Sequence, residues 1–481
     1  MAEGREKAVT LDVSQQGNLA LVSAELATGS RAVPVQAVDE TKLLRKVDFH
    51  VVPILFIVYL VAFLDRANMS NALTLGLPSE LGLTGQQPNV SLTIFFVPYI
   101  LFEIPSNILM KKLSPHVWLS GCVLVFGVVS IAQGFVRSYS GILATRFLLG
   151  LAESGIFPGS FYLISFWYKQ EESQKRFTAY WCSTMLASAF GSLVASGIAH
   201  MDGFRGLAAW RWLFILEGIA TVVVPAIAFF TITDFPLEAK WLTEEERSFI
   251  MKKTGSTESE FRPVTTRDVL DFAIKPKHWL GAIMYFSILI PANSLVYFTP
   301  TIVQGLGYST VQTQLHSVPP FAAAFGLTVI LAILSDRMRM RSPFIFFNLC
   351  LLITGITVCM KIRGVERFSA EYAGLCLAGM GSLGVGGNII CWYVMNLRGH
   401  GERAVGSAWM LCFGNIGSIV ATFSFQKKDA PLYHTGYSLV LAMGALCFVS
   451  CAAYALAIWR ERRVGKVGNS DGDEVKYELY L

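Results

Sequence analysis

Residues 51 to 70 read Val-Val-Pro-Ile-Leu-Phe-Ile-Val-Tyr-Leu-Val-Ala-Phe-Leu-Asp-Arg-Ala-Asn-Met-Ser, an apolar run that ends in two opposite charges. Its uncharged part, from Val51 to Leu64, would extend about 21 Å as a helix, which is too short to cross about 30 Å of bilayer hydrocarbon. The helix must therefore continue through Asp65 and Arg66. A carboxylate and a guanidinium then lie inside the membrane, where ionisable groups are costly and indicate a functional site by default.

The composition of the whole chain is that of a membrane protein. Of its 481 residues, 53% are hydrophobic and only 15% are charged, against about half and about a quarter in soluble domains. This composition excludes a disordered regulator, a fibre and a soluble multidomain enzyme. The net charge of +5 is too small to indicate a nucleic-acid partner. The nine cysteines lie in apolar runs without CxxC spacing, so neither disulfides nor a metal site are expected.

Apolar runs of about 20 residues recur in two blocks of six, which predicts an all-α polytopic membrane protein of twelve transmembrane helices in two halves. The predicted spans are approximately 49–70, 89–110, 117–136, 140–166, 177–200 and 211–232, then 278–302, 315–335, 343–362, 371–396, 404–425 and 436–459. The corresponding domains are a disordered tail over 1–44, a six-helix bundle over 45–232, a linker with one short surface helix over 233–277, a second bundle over 278–459 and a tail over 460–481.

An even number of spans places both termini on one side of the membrane. Basic residues are frequent before the first span, after the last span and in the loops of the same side, so we expect both termini to be cytoplasmic. The opposite side also carries lysines and arginines, among them Lys361, Lys427 and Lys428. The plasma membrane is the expected location.

Intramembrane charge is confined to the first half of the chain. In the fourth span, Arg146 and Glu153 are seven residues apart and therefore share a helix face, with Arg146 at the depth of Asp65. All seven histidines fall at helix ends or in loops, which leaves carboxylates as the proton carriers, Asp65 and Glu153 first. Two further carboxylates, Glu103 and Glu217, are expected to have structural, capping or gating roles.

The second half offers neutral hydrogen-bonding groups for a ligand: Asn293, Tyr297, Asn388 and Asn415. Each of these assignments has a structural alternative. Asp65 and Arg66 could form a mere internal salt bridge, Arg146 could only hold Asp65 in place, and Asn or Tyr side chains also join membrane helices. The sequence Gly379-Met380-Gly381-Ser382-Leu383-Gly384 matches GxGxxG, but it lies in an apolar run, where glycines favour close helix packing over dinucleotide binding.

With these charges placed, the chain resembles the major facilitator superfamily, and within it the anion:cation symporter group that includes fungal allantoate and nicotinate permeases. The resemblance covers nearly everything from Arg45 to Arg460. The strings that carry it are Phe63-Leu64-Asp65-Arg66-Ala67-Asn68, Glu103-Ile104-Pro105-Ser106-Asn107, the stretch from Arg146 to Gly159, Trp210-Arg211-Trp212 with Glu217-Gly218, Ser335-Asp336-Arg337, Asn388 and Gly414-Asn415.

The resemblance implies that Arg66 binds the carboxylate of the substrate, while Asp65 and Glu153 take part in proton coupling, with Arg146 beside them. Asn68 joins the implied substrate-binding set. Between the second and third spans, Lys111-Lys112-Leu113-Ser114-Pro115 replaces the gating motif of the superfamily. Asp336 and Arg337 match that motif better in the other half.

The resulting hypothesis is a proton-coupled symporter for a small organic anion, with two bundles rocking about a cavity at the midplane. We expect a monomer in the lipid bilayer, with the proton as coupling ion and no other cofactor. Export of an acidic secondary metabolite by the same fold is the alternative, and a nutrient sensor is a further one. An enzyme is not expected, because the chain has neither HExxH nor GxSxG and no histidine at depth.

Overall fold

The computed structural model describes residues 39–254, 266–338, 340–362, 368–397, 399–430 and 432–468. Within these ranges every regular element is a helix, and 11 helices are long and apolar enough to cross a membrane. The remaining predicted span contains a shorter apolar helix, Val405–Ala421. The predicted fold class is thereby confirmed. Most of the two predicted tails, 1–38 and 469–481, lies outside the described residues.

Six spans form the first half, and two of them are interrupted by a turn. Span 1 is Glu40–Thr74, span 2 is Gln87–Thr93 with Phe96–Leu113, span 3 is Pro115–Gln133, span 4 is Tyr139–Glu153 with Ile156–Trp167, span 5 is Gln170–Ile198 and span 6 is Ala209–Thr231. Short helices occupy the connections at Leu77–Glu80, Ala199–Met201, Phe204–Gly206 and Pro236–Glu238.

Six further helices form the second half after the linker. Span 7 is Pro276–Gly305, span 8 is Thr310–Met338, span 9 is Ser342–Lys361, span 10 is Phe368–Met395, span 11 is Gly399–Ala421 and span 12 is His434–Gly468, with a short 3-10 turn at Lys427–Asp429. Since successive spans alternate in direction, span 1 begins and span 12 ends on the same face as the linker. We call this face the linker end and the other the distal end.

Spans 2 and 4 pack closely near their interruptions, and glycine makes this close approach possible. A Cβ atom on Gly150 would lie 2.0 Å from the carbonyl oxygen of Phe95, at the break of span 2. A Cβ atom on Gly155, at the break of span 4, would lie 2.1 Å from Ser106 Oγ. Any side chain at either position would separate the two helices. This packing holds Glu153 in the interior of the bundle.

The described part of the linker contains two α-helices, not the single helix predicted: Glu244–Thr254 and Thr266–Ile274. The first is fastened to the first half, where Lys46 Nζ lies 2.7 Å from Glu246 Oε2. The second packs on the second half, where the ring of Phe272 stacks on His278 at 3.6 Å. The prediction missed this second helix because its nine residues follow a polar segment and carry charges of their own.

The GxGxxG segment is part of span 10, as expected for a packing role. A Cβ atom on Gly381 would lie 2.3 Å from the backbone nitrogen of Leu352 in span 9. A Cβ atom on Gly384 would lie 2.5 Å from Thr328 Oγ1 in span 8. The glycines therefore allow three helices of the second half to touch backbone to backbone or nearly so.

The two halves are joined at the distal end by a set of hydrogen bonds that we call the distal contacts. These bonds connect the ends of spans 1 and 2 to spans 7, 8 and 11, so the structure represents a state closed on this side. Ser70 Oγ donates to the carbonyl of Tyr297, Gln314 Nε2 donates to Thr74 Oγ1 at 2.8 Å, and Asn89 Nδ2 donates to the carbonyl of Thr422 at 2.6 Å.

Candidate functional site

A cavity lies between the two halves. Spans 1, 2, 4 and 5 form one wall, and spans 7, 10 and 11 form the other. Its lining combines six aromatic and five aliphatic side chains with one cationic side chain and four neutral polar ones. The lining residues are Tyr59, Phe63, Arg66, Tyr99, Phe157, Trp181, Thr184, Tyr285, Leu289, Ala292, Asn293, Val296, Leu383, Leu411, Asn415 and Ser418.

Arg66 is the cation in this wall, and its guanidinium is paired to Glu153 through two nitrogens. Nε lies 3.1 Å from Oε2, and the terminal nitrogen Nη2 lies 2.6 Å from Oε1. Both side chains are buried, with Arg66 8% exposed and Glu153 fully enclosed. The first contact is a charge-assisted hydrogen bond, which is stronger than a bond between neutral groups, and the second is a close contact between opposite charges. The site therefore already holds a carboxylate, supplied by the protein itself.

Aromatic rings surround the same guanidinium. Its carbon Cζ lies 4.8 Å from the ring centre of Phe95 and 4.9 Å from that of Tyr99. Such contacts stabilise a cation that has lost its water, because the faces of aromatic rings are electron-rich. The rings thus help to hold Arg66 in position.

A second buried ion pair lies beside the first. Arg146 Nη1 is 2.6 Å from Asp65 Oδ2, and Ser130 Oγ is 3.4 Å from Asp65 Oδ1. The structure thus brings Arg146 to Asp65, as their common depth predicted. Asp65 and Arg66 are neighbours in the chain, yet each is paired to span 4 and not to the other. The reason is that successive residues of a helix point in different directions.

The opposite wall supplies neutral hydrogen-bonding groups. Asn293 Nδ2 donates to Ser418 Oγ at 2.9 Å, and Asn415 Nδ2 donates to Glu103 Oε2 at 3.3 Å. The second bond crosses between the halves. Glu103 is therefore a contact of span 2 with span 11 at the level of the cavity.

Several residues that sequence reasoning assigned to the site are placed elsewhere. Asn68 is buried and donates to Glu217 Oε2 at 2.7 Å, so it faces span 6. Asn388 Nδ2 approaches the carbonyl of Gly384 within its own helix at 3.4 Å. Neither side chain lines the cavity. The sequence shows that these residues are polar, but polarity alone does not show which face of the helix they lie on.

Three further assignments are resolved in part. Tyr297 contributes its carbonyl to the distal contacts, and its ring lies 6.4 Å from that of Phe96. Arg337 is exposed at the linker end. The side chain of Asp336 lies outside the described residues.

Sequence reasoning missed the aromatic residues that shape the cavity. Tyr59 stacks on Tyr180 at 4.5 Å between ring centres. Trp181 spans both halves, since its indole nitrogen donates to the carbonyl of Leu383 at 3.1 Å and its ring covers Gly387. No sequence signal marks these residues, because an aromatic residue in an apolar run can equally face lipid. A buried cation under aromatic walls can bind a small anion that carries an apolar or planar body.

Comparison with known proteins agrees with this geometry. The chain is 31% identical to the MFS transporter prlL of a fungal species (strain NRRL 50135), covering 91% of both chains. It is 30% identical to the high-affinity nicotinic acid transporter of Saccharomyces cerevisiae, over 84% of this chain and 75% of that one. It is 32% identical to a putative tartrate transporter of Agrobacterium vitis, over 63% and 70%.

Among solved structures, the proton:xylose symporter XylE superposes with a TM-score of 0.68 at 12% identity, over 86% of this chain and 96% of that one. This likeness concerns the fold. The sequence profile of the Major Facilitator Superfamily matches residues 55–422, which takes in the cavity and both ion pairs. The chain therefore belongs to the Major Facilitator Superfamily of membrane transporters.

Proposed function

We propose that this protein is a proton-coupled symporter that carries a small organic anion with a carboxylate group into the cell. The observation that carries the proposal is the buried ion pair of Arg66 with Glu153 at the wall of a cavity between the halves. Glu153 is fully buried and therefore cannot exchange its partner for water. Only another anion, or a proton on Glu153, can compensate for breaking the pair.

The coupling follows from this competition. When a proton neutralises Glu153, Arg66 loses most of the electrostatic attraction that holds it there. The guanidinium can then turn to a substrate carboxylate in the cavity, held in place by the rings of Phe95 and Tyr99. Asp65 remains paired to Arg146 and keeps span 1 in position against span 4. Proton and anion therefore bind together more favourably than either does alone.

The names of two relatives support the substrate class. Nicotinic acid and tartrate, which appear in those names, are both small carboxylic acids. The aromatic lining of the cavity, with Tyr59, Trp181 and Tyr285, favours a planar ring over a fully polar body. These features support membership of the anion:cation symporter group that includes allantoate and nicotinate permeases.

The orientation and the location complete the proposal. The linker end carries Lys46, Arg176 and Lys253 among its basic residues, which favours a cytoplasmic position for this end and for both termini. The distal end then faces outward at the plasma membrane. Both walls of the cavity come from one chain, so a monomer suffices for transport.

The test is uptake of radiolabelled carboxylates by cells that express the full chain, at acidic and at neutral outside pH. The panel includes nicotinate, pantothenate, biotin, allantoate and simple sugar acids. We expect uptake that acid stimulates and that Arg66→Ala abolishes. Arg66→Lys keeps the charge but loses the planar fork of donors with which a guanidinium can bind a carboxylate, so the apparent KM should rise by about tenfold or more. Glu153→Gln should leave binding but reduce the dependence on outside pH.

Two controls make the result decisive. Arg137→Ala replaces an arginine that is exposed between spans 3 and 4 at the distal end and should leave the KM unchanged. Surface labelling of each variant confirms insertion. Acid-stimulated uptake that survives in Arg66→Ala would contradict the proposed site. Extrusion of a preloaded acid without any uptake would instead support the export alternative.

A further inference from the structure

A third buried carboxylate lies outside the ion pairs that the proposed mechanism uses. Glu217, in span 6, is 6% exposed. Its Oε2 accepts a hydrogen bond from Asn68 Nδ2 at 2.7 Å, while its Oε1 is buried without a hydrogen-bond partner among the described residues. A carboxylate oxygen that is buried and unsatisfied is costly when charged, and a proton on that oxygen removes the charge.

The charged groups around Glu217 also make its ionised form costly. The charged groups that face it are Asp65 on span 1 and Arg146 on span 4, and these two are already paired with each other. Span 3, which packs against span 6, contributes Ser130 and the backbone near Gly127 and adds no charge there. Span 5 contributes Gly191 beside Asn68. Ionised Glu217 therefore adds one uncompensated negative charge to the interior of the first half.

Hydrogen bonds connect Glu217 to the distal contacts along one face of span 1. Asn68 Nδ2 donates to Glu217, and Asn71 Nδ2 donates to Asn68 Oδ1 at 2.9 Å. Thr74 Oγ1 donates to the carbonyl of Asn71 at 2.8 Å, and Gln314 Nε2 of span 8 donates to Thr74 Oγ1 at 2.8 Å. Each bond points toward the carboxylate, so the chain of donors begins in one half and ends at Glu217 in the other.

We propose that Glu217 is a further proton-binding site, and that its protonation loosens the closure at the distal end. While Glu217 is charged, its hydrogen bond to Asn68 is charge-assisted and holds span 1 firmly against span 6. A proton on Oε1 leaves Oε2 as a neutral carbonyl acceptor, so the bond from Asn68 loses its charge assistance and holds span 1 less firmly.

Protonation thus releases the segment of span 1 that carries Ser70 and Thr74, the two residues that bind the other half. This role lies beyond the proposed exchange of Glu153 for substrate, because it concerns opening of the distal end and needs no substrate. The two proposals can therefore fail separately.

The experiment measures the distance between spin labels on the full chain in lipid nanodiscs. Cysteines replace Ser140 in the first half and Lys428 in the second, both exposed at the distal end. The three native cysteines that are not buried, Cys350, Cys376 and Cys412, are changed to serine. Distances are recorded from about pH 8 to about pH 5, the range in which a buried carboxyl titrates.

We expect the wild-type background to shift toward longer distances as the pH falls. Glu217→Gln imitates the protonated form and should show the long distance at every pH, with a pH response reduced about fivefold or more. Asn68→Ala removes the connection and should reduce the response to a similar degree, which tests the relay with a second, neutral variant.

The matched control is Asn89→Ala. Asn89 bonds the carbonyl of Thr422 at the same end but takes no part in the chain of donors. Its loss should lengthen the distance at all pH values and leave the pH response in place. A wild-type pH response in Glu217→Gln, or equal loss of the response in Asn89→Ala, would overturn the proposal, as would a wild-type distance that does not change with pH.

Discussion

Gly150 illustrates how a single residue constrains the site. A methyl group there would meet the backbone of Phe95 at 2.0 Å, and backbone cannot move aside as a flexible side chain can. We expect Gly150→Ala to destabilise the protein by about 1–3 kcal/mol and to lower uptake, because spans 2 and 4 separate beside Glu153. Thermal unfolding in detergent measures the first effect. Gly121→Ala is the matched control, since its Cβ meets nothing within 4 Å; equal unfolding temperatures for the two variants would contradict the packing argument.

At the scale of elements, the first linker helix behaves as part of the first half. Lys253 Nζ lies 2.6 Å from Glu172 and 2.7 Å from Glu40, Trp241 stacks on His50 at 4.2 Å, and Glu246 binds Lys46. Burial alone would raise the pKa of Glu246, but hydrogen bonds from Lys46 and the Thr243 backbone outweigh it and hold the pKa below its ordinary value of 4.5.

A carboxyl with a lowered pKa stabilises the folded state above its unfolded pKa, and this contribution disappears as the pH falls through the folded value. We therefore expect the helix Glu244–Thr254 to detach in acid, below about pH 4.5. Faster hydrogen exchange of its amides, after correction for the intrinsic rate, would show this. Glu246→Gln should already exchange faster at neutral pH. Slower exchange of this helix in acid than at neutral pH would be incompatible with the docked arrangement.

For the whole molecule, the distal contacts predict that transport requires the two halves to separate at this end. Thr93 Oγ1 and Thr422 Oγ1 lie 2.6 Å apart across the halves, so cysteines at both positions are close enough to form a disulfide. We expect the double variant Thr93→Cys with Thr422→Cys to lose uptake on oxidation and to regain it with a reductant, as followed by radiolabelled uptake. The single variants should be insensitive to oxidant. Full uptake by a cross-linked double variant would exclude alternating access through this end.

The amino-acid sequence by itself determined the membrane class, the two blocks of spans and the intramembrane charges. These features are local, because the length of an apolar run and a charge within it are both visible in one contiguous segment of the sequence. Asp65, Arg66, Arg146 and Glu153 could be selected in this way, and the depth of Arg146 could be matched to that of Asp65. The span boundaries also agree to within several residues. The exceptions are spans 1 and 12, which extend further at the linker end than the sequence predicted.

Only the tertiary structure decided which charges pair and which polar residues meet in one place. Arg66 pairs with Glu153 and not with its chain neighbour Asp65, and Asn68 faces Glu217 and not the cavity. The aromatic lining, with Trp181 and Tyr285, had no signal at all. The physical reason is that facing depends on the rotation of each helix and on glycines such as Gly150 that set how closely two helices approach. Rotation and approach result from packing among distant segments, and no single stretch of sequence contains them.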